Sequence, residues 1–192
     1  MSQQELLKFV ISKLNELSIE FMLSGSHASS LQGEARATHD IDLVANLTIN
    51  DAKPIIDAFQ DERFYLSESA VREAIKAKRM FNLLETTTGE EVDFWVLTET
   101  PFDQSRFQRR QQIEYDDLLV CVTSPEDTML MKLVWSKKIG GSEKQLNDVV
   151  HVYELQAGLL DMDYLDRWVK ELEIEELWDR VIAEADPIIP PN

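Results

Sequence analysis

The chain has 192 residues, 44% of them hydrophobic and 29% charged, with six glycines and six prolines; this excludes collagen-like, disordered and low-complexity classes. At that length roughly 70% of the unfolded surface is buried on folding, so a core forms without staples. Thirty-six acidic against nineteen basic residues give a net charge of −17, a far field that disfavours bulk nucleic-acid binding but leaves room for a small local groove for a nucleotide.

Leu6, Leu7, Val10, Ile11, Leu14 and Leu17 recur at helical spacing and predict an amphipathic cover helix over 3–17. A short apolar strand follows at 19–23 and ends in Ser24-Gly25-Ser26, small residues suited to a tight strand-to-helix turn. The helix from Ser26 is short because Gly33 stops it. In 39–45 polar and apolar residues alternate, and a period of two sends Asp40 and Asp42 to one face and Ile41 and Leu43 to the other.

A helix is expected over 50–59, with Asn50 as cap, and another, basic one over 69–79. Two β-rich runs, 80–84 and 92–97, make a hairpin-like pair through Thr87-Thr88-Gly89-Glu90. Pro101 opens a polar helix carrying Arg106, Arg109 and Arg110, and 118–122 returns as an apolar strand. Beyond Ser124 the pattern is helical throughout. Ser124-Pro125-Glu126-Asp127 is a strong helix start, Gly140-Gly141 a break, and Ser142 to Gln145 a capping-box start. The segment 161–186 holds ten acids against three basic residues, with Tyr164, Leu165, Trp168, Leu172, Leu177, Trp178 and Ile182 as its apolar stripe.

The expected fold is therefore α/β: a small mixed sheet with flanking helices over 1–123, followed by a helical part over 124–192 packed on it. The lone Cys121 has no partner thiol for a disulfide or a zinc cluster. The N-terminus lacks a basic, uninterruptedly apolar leader, and no 18-residue apolar run occurs, so a cytoplasmic protein without a membrane span is expected.

Three elements in order carry the chemistry: a strand ending in Gly25-Ser26, a strand with Asp40 and Asp42, and a strand with Asp93. Carboxylates at i and i+2 of one strand, joined by a third from a neighbour, suit a hard divalent cation. Mg²⁺ keeps waters and substrate phosphates in its shell, which points to a nucleotide. Glycine permits close backbone approach, and the amides and Ser26 hydroxyl at the helix start can bind phosphate oxygens. Glu91 shares Asp93's face by alternation and stays as the alternative ligand. His39 points to the opposite face and reads as structural, as does His151; His27 reads as a cap or surface residue. Arg106, Arg109 and Arg110 read as partners for the abundant acids, and Lys137 and Lys138 as cations at a helix C-terminus.

Gly25-Ser26, thirteen residues, then Asp40-Ile41-Asp42-Leu43 and a later Asp93 resemble the polymerase-beta-like nucleotidyltransferase superfamily. Arg36-Ala37-Thr38-His39-Asp40-Ile41-Asp42-Leu43 looks like the R-x-T-x-D-I-D-L form of its small bacterial members. Downstream, Asp127 to Leu133 and Asn147-Asp148-Val149-Val150 are similar to the helical part of AbiEii-type toxin nucleotidyltransferases, although Gln145-Leu146-Asn147-Asp148 lacks that pattern's basic residue beside the Asp.

The resemblance implies transfer of a nucleoside monophosphate from an NTP to an acceptor hydroxyl on a small molecule, a protein or a tRNA end. Asp40, Asp42 and Asp93 would hold two Mg²⁺ ions, or Mn²⁺ in their place. Gly25, Ser26 and Lys132 would bind phosphate, with Arg36 and Asp148 as further candidates. The alternative from another class is a non-catalytic nucleotide-binding or interaction protein, such as a toxin–antitoxin component. Trp168, Leu172 and Trp178 also raise a homodimer through the C-terminal helices.

Overall fold

The computed structural model describes residues 1–34, 40–115 and 118–186. Among them the chain forms nine α-helices and one seven-stranded mixed sheet, the expected α/β class with two strands more than the hydrophobic pattern predicts. Two compact units result: Met1–His27 with Thr38–Val122, and Ala28–Ala37 with Thr123–Asn192.

All seven strands belong to the first unit. They are β1 (Phe21–Ser24), β2 (Asp40–Ala45), β3 (Phe64–Tyr65), β4 (Met80–Glu85), β5 (Glu91–Val96), β6 (Gln111–Tyr115) and β7 (Leu118–Val122), in the spatial order β3-β4-β5-β2-β1-β7-β6. The β1–β7 and β2–β5 pairs are parallel and the others antiparallel. The site strands β2 and β5 therefore lie mid-sheet, where alternation buries Ile41, Leu43, Val92 and Phe94 completely on one face.

Helix α1 (Gln3–Glu16) begins with a capping box, in which Ser2 Oγ accepts from Glu5 N and the Glu5 carboxylate accepts from Ser2 N. It buries Leu6, Leu7, Val10, Ile11 and Leu14. Helix α2 (Gly25–Gln32) is as short as Gly33 requires. The expected cap at Asn50 is not used: Asp51 folds back on Thr48 N at 2.7 Å, Asn50 sits in a 3₁₀ turn (Ile49–Asp51), and α3 runs Ala52–Ala58. Helix α4 (Glu68–Ala77) and α5 (Pro101–Gln108) complete this unit's helices. Helix α5 ends before the second and third of its expected arginines, so Arg109 is its C-cap and Arg110 lies beyond.

The second unit holds residues of α2 together with α6 (Pro125–Lys138), α7 (Glu143–Gln156), α8 (Met162–Glu171) and α9 (Glu175–Glu184). Ser124 caps α6, and Gly140 and Gly141 take φ of 77° and 109°, a turn closed to most other residues. The capping box at α7 forms only in half. Ser142 Oγ accepts from Gln145 N, but Ser142 N donates to Ser136 Oγ, and Gln145 Oε1 is taken by Lys132 instead.

The apolar stripe of 161–186 is interrupted where Glu173 turns left-handed at φ 54°. Resetting the helical phase there buries Val181 and leaves Ile182 43% exposed. Trp168 and Trp178 are buried at 4% and 7% exposure within the chain. They are core residues, which removes the argument that they make a dimer surface. Lys137 and Lys138 lie in the last turn of α6 as expected, and Lys137 Nζ also donates to Glu173 O, just beyond α8, at 2.6 Å. Among the described residues, no helix is long and apolar enough to cross a membrane.

Candidate active site

Strand register builds the site. On β2, Asp42 stands opposite Ser24 of β1 and beside Asp93 of the parallel strand β5, and Asp93 in turn stands opposite Asn82 of β4. Directly paired residues share a face, so Ser24, Asp42, Asp93 and Asn82 form one polar row across four strands spaced about 4.8 Å apart. One step along the same face, Asp40 is beside Glu91. Both candidates for the third carboxylate lie on the face of Asp40 and Asp42: Asp93 partners the half-buried Asp42, and Glu91 partners the exposed Asp40.

The turn after β1 explains its glycine twice over. Gly25 has φ 62°, a conformation costly for a residue with a Cβ. A Cβ there would also sit 2.6 Å from Asp42 Cγ, inside the carboxylate. Backbone and carboxylate therefore approach each other only because the side chain is absent. Ser26 follows at the first turn of α2, half-buried.

Asp42 is oriented by more than the turn. Trp95 Nε1 donates to Asp42 Oδ1 at 3.1 Å. The sequence pattern marks Ser24 only as a turn residue and does not single out Trp95 or Asn82. The available signal was alternation on β5, which puts Trp95 on the face of Asp93, but the pairing register that brings it toward Asp42 is a tertiary property.

The electrostatics are those of crowded acids. Asp93 is pushed up to about 6, first by burial and then by Asp42, Glu91 and Asp40. His27 donates from Nδ1 to the Asp40 carbonyl at 3.1 Å, and burial lowers its pKa, keeping the ring neutral near pH 7. This bond to the backbone of β2 ties the turn to the carboxylate strand, a structural role beyond the expected cap or surface position. Among the described residues, no three His, Cys, Asp or Glu side chains converge tightly enough to form a metal-ligand set in the rotamers present. Asp42 is instead turned to Trp95 and the Gly25 backbone. A hollow of about 420 Å³ lined by Ile56, Phe59, Phe64 and Tyr65, with Asp61, Glu62 and Glu68, contains none of Asp40, Asp42, Glu91 and Asp93.

The remaining candidates fall elsewhere. Lys132 and Asp148 are brought together with each other, Nζ to Oδ2 at 2.7 Å, both buried in the second unit, with Gln145 Oε1 also 3.2 Å from Nζ. The pair ties α6 to α7. Arg36 and His39 lie outside the described residues. Arg106 pairs with Asp103 at 2.6 Å and Arg110 with Glu20 at 2.7 Å, as expected for cations in an acidic protein, and His151 meets Glu34 at 3.3 Å.

No family model matches the chain, and no curated protein matches it in sequence. Solved structures do match. ANT(2″)-Ia in complex with adenylyl-2″-tobramycin superposes with a TM-score of 0.61 over 92% of this chain and 99% of that one, at 11% identity. The lincosamide antibiotic adenylyltransferase LnuA, lincomycin-bound, gives 0.55 over 81% and 98%, at 12% identity. An antigenic nucleotidyltransferase-like protein from Paracoccidioides brasiliensis gives 0.51 over 97% and 96%, at 19% identity. The chain has the nucleotidyltransferase fold. In this fold the polar row of β1, β2, β5 and β4 and the glycine turn are carried by the first unit, and identities this low leave the chemistry to be argued from those residues themselves.

Proposed function

We propose that the protein is a nucleotidyltransferase that transfers a nucleoside monophosphate from an NTP to an acceptor hydroxyl. The observation that carries this reading is the row in which Asp42 and Asp93 are register partners on one sheet face, with Asp40 one step away and the Gly25 turn packed on Asp42. The donor set is all oxygen, the chemistry that Mg²⁺ or Mn²⁺ takes. Burial first, and then Asp42, Glu91 and Asp40, raise the pKa of Asp93, a cost of holding its charge that a bound cation would relieve. Asp40, Asp42 and Asp93 would hold the cation. Bound there, Mg²⁺ supplies neutralisation of the charge on the attacking and leaving oxygens.

The chain's own groups do the rest by position. The α2 amides and the Ser26 hydroxyl receive phosphate oxygens, which the helix N-terminus favours. The acceptor oxygen bonds to the α-phosphorus, the bond from that phosphorus to the bridging oxygen breaks, and pyrophosphate leaves. The acceptor proton passes to a carboxylate oxygen of Asp93, the register partner of Asp42 in the row. Little covalent work is asked of the protein. Lys132, paired inside the second unit, has no part in this scheme.

Of the three acceptor classes the sequence raised, the counterparts with bound adenylyl-tobramycin and lincomycin support a small molecule. The test is incubation with each of four α-labelled NTPs and Mg²⁺, in the presence of a small-molecule extract, total tRNA or total protein. Label in the small-molecule fraction is expected. Label on tRNA or protein would move the acceptor, and no transfer from any NTP would overturn the activity.

A further inference from the structure

Resting on that reading, we propose that Asn82 is an acceptor-binding residue, whose carboxamide holds a second hydroxyl or an amide of a small-molecule acceptor beside the hydroxyl that reacts at Asp93. The first observation is order across the sheet. The polar row runs from Ser24 of β1 through Asp42 and Asp93 to Asn82 of β4, and the Gly25-Ser26 turn, which receives the phosphates, leaves its β1 end. In phosphoryl transfer the attacking and leaving oxygens lie in line on opposite sides of the phosphorus. Pyrophosphate held at the β1 end therefore leaves the acceptor to enter from the β4 end, where Asp93 takes the proton. Asn82 stands directly beyond Asp93, one strand spacing of about 4.8 Å away.

The second observation is where this face is open. Two positions along the same strands, Met22, Val44, Trp95 and Met80 form the next row of register partners. Met22 and Val44 are buried at 0% and 2% exposure and cluster with Leu97 and Phe107, whereas Trp95 is half-buried and Met80 is 40% exposed. In the polar row Ser24, Asp42 and Asp93 are half-buried and Asn82 is exposed. Cover thus ends at β5, and the face opens over β4, an interior strand paired on both sides. Asparagine is depleted within strands, and no hydrogen bond among the described residues engages the Asn82 carboxamide. That group donates from Nδ2 and accepts at Oδ1, so it matches a group that does both, and it adds no charge to the crowded acids. Met80, in the same opening, contributes an apolar and adaptable thioether. The acceptor that fits carries an uncharged polar group next to its reacting hydroxyl and an apolar part over Met80.

The experiment measures transfer from the α-labelled NTP that wild type accepts, by wild type, Asn82→Val and Asn82→Ala. A small-molecule extract is diluted at fixed NTP, then NTP at fixed extract, with thermal melting as the check on fold. Valine favours a strand and removes both hydrogen-bonding groups; alanine covers a valine variant that fails to fold. Expected is a rise of about 3–10-fold in the half-saturating amount of extract, the worth of one neutral hydrogen bond, with half-saturating NTP and melting temperature close to wild type. An unchanged half-saturating amount of extract, or a rise confined to the NTP, would overturn the role of Asn82 and leave the functional reading standing. No transfer to the extract from any NTP by wild type would overturn the small-molecule acceptor of that reading and this proposal with it.

Discussion

The two units use buried and half-buried charge in opposite ways. In the helical unit three buried charged groups have complements: Lys132 has Asp148, Asp127 has Ser124 and Tyr164, and Glu126 has the Asp161 amide. In the sheet unit Asp42, Asp93, Asp40 and Glu91 stand acid beside acid on one face, and burial first, then these neighbours, hold Asp93 above the usual carboxylate range. Matched charge ties helices together. Mismatched charge, maintained on rigid strands at a cost to stability, is what a cation-binding site requires.

The comparison breaks most visibly in activity. Asp40→Asn with Asp42→Asn should lower transfer by at least about 10³-fold, since several kcal/mol of charge stabilisation are removed, while melting temperature and circular dichroism stay near wild type. A double variant that melts far below wild type would make these carboxylates structural. The helical unit should respond in the reverse sense. Lys132→Met leaves Asp148 buried without its ammonium and should destabilise by about 3–5 kcal/mol in denaturant unfolding, whereas Lys132→Met with Asp148→Leu should recover most of that loss. If the single change is neutral, the pair is not the structural tie described above.

Gly25→Ala lies between these cases. The left-handed backbone costs about 1–2 kcal/mol, and the added methyl must also displace Asp42, so stability and divalent-cation affinity should fall together. Loss of stability with unchanged cation affinity would separate the turn from the carboxylate.

The smallest effect is a gain. Asp93 binds its proton more tightly folded than unfolded, with a pKa of about 6 against 3.8. Its contribution to stability is thus present below pH 3.8 and lost as pH rises toward 6. Asp93→Asn should therefore stabilise the cation-free protein above pH 6, by on the order of 1 kcal/mol after discounting for solvent screening, and this gain should vanish below about pH 4. A gain independent of pH would show that repulsion at Asp93 is not its cause.

Local periodicity made much of this legible in the sequence. Alternation in 39–45 and 92–97 put Asp40, Asp42 and Asp93 on the right faces, and Gly25 and Gly33 bounded a short helix where α2 stands. Two strands escaped for physical reasons. β3 has two residues, too few for a period, and β6, Gln111–Tyr115, is a polar edge strand whose pattern carries little apolar signal. Partner choice escaped as well. Whether Lys132 meets phosphate or Asp148, and whether Trp95 joins a core or a carboxylate, depends on how elements distant in sequence align. The stripe of 161–186 was visible, but its phase shift at Glu173 was not, because a left-handed glutamate leaves no compositional mark.

The central claim is that the Asp40, Asp42 and Asp93 row binds a nucleotide through a divalent cation. Calorimetric titration of ATP, GTP, CTP and UTP, with Mg²⁺ and with EDTA, into wild type and the Asp40→Asn/Asp42→Asn variant tests it directly. The account predicts binding of at least one nucleotide by wild type with Mg²⁺, weak binding in EDTA, and loss in the variant. Affinity equal in Mg²⁺ and EDTA, or retained by the variant, would contradict it.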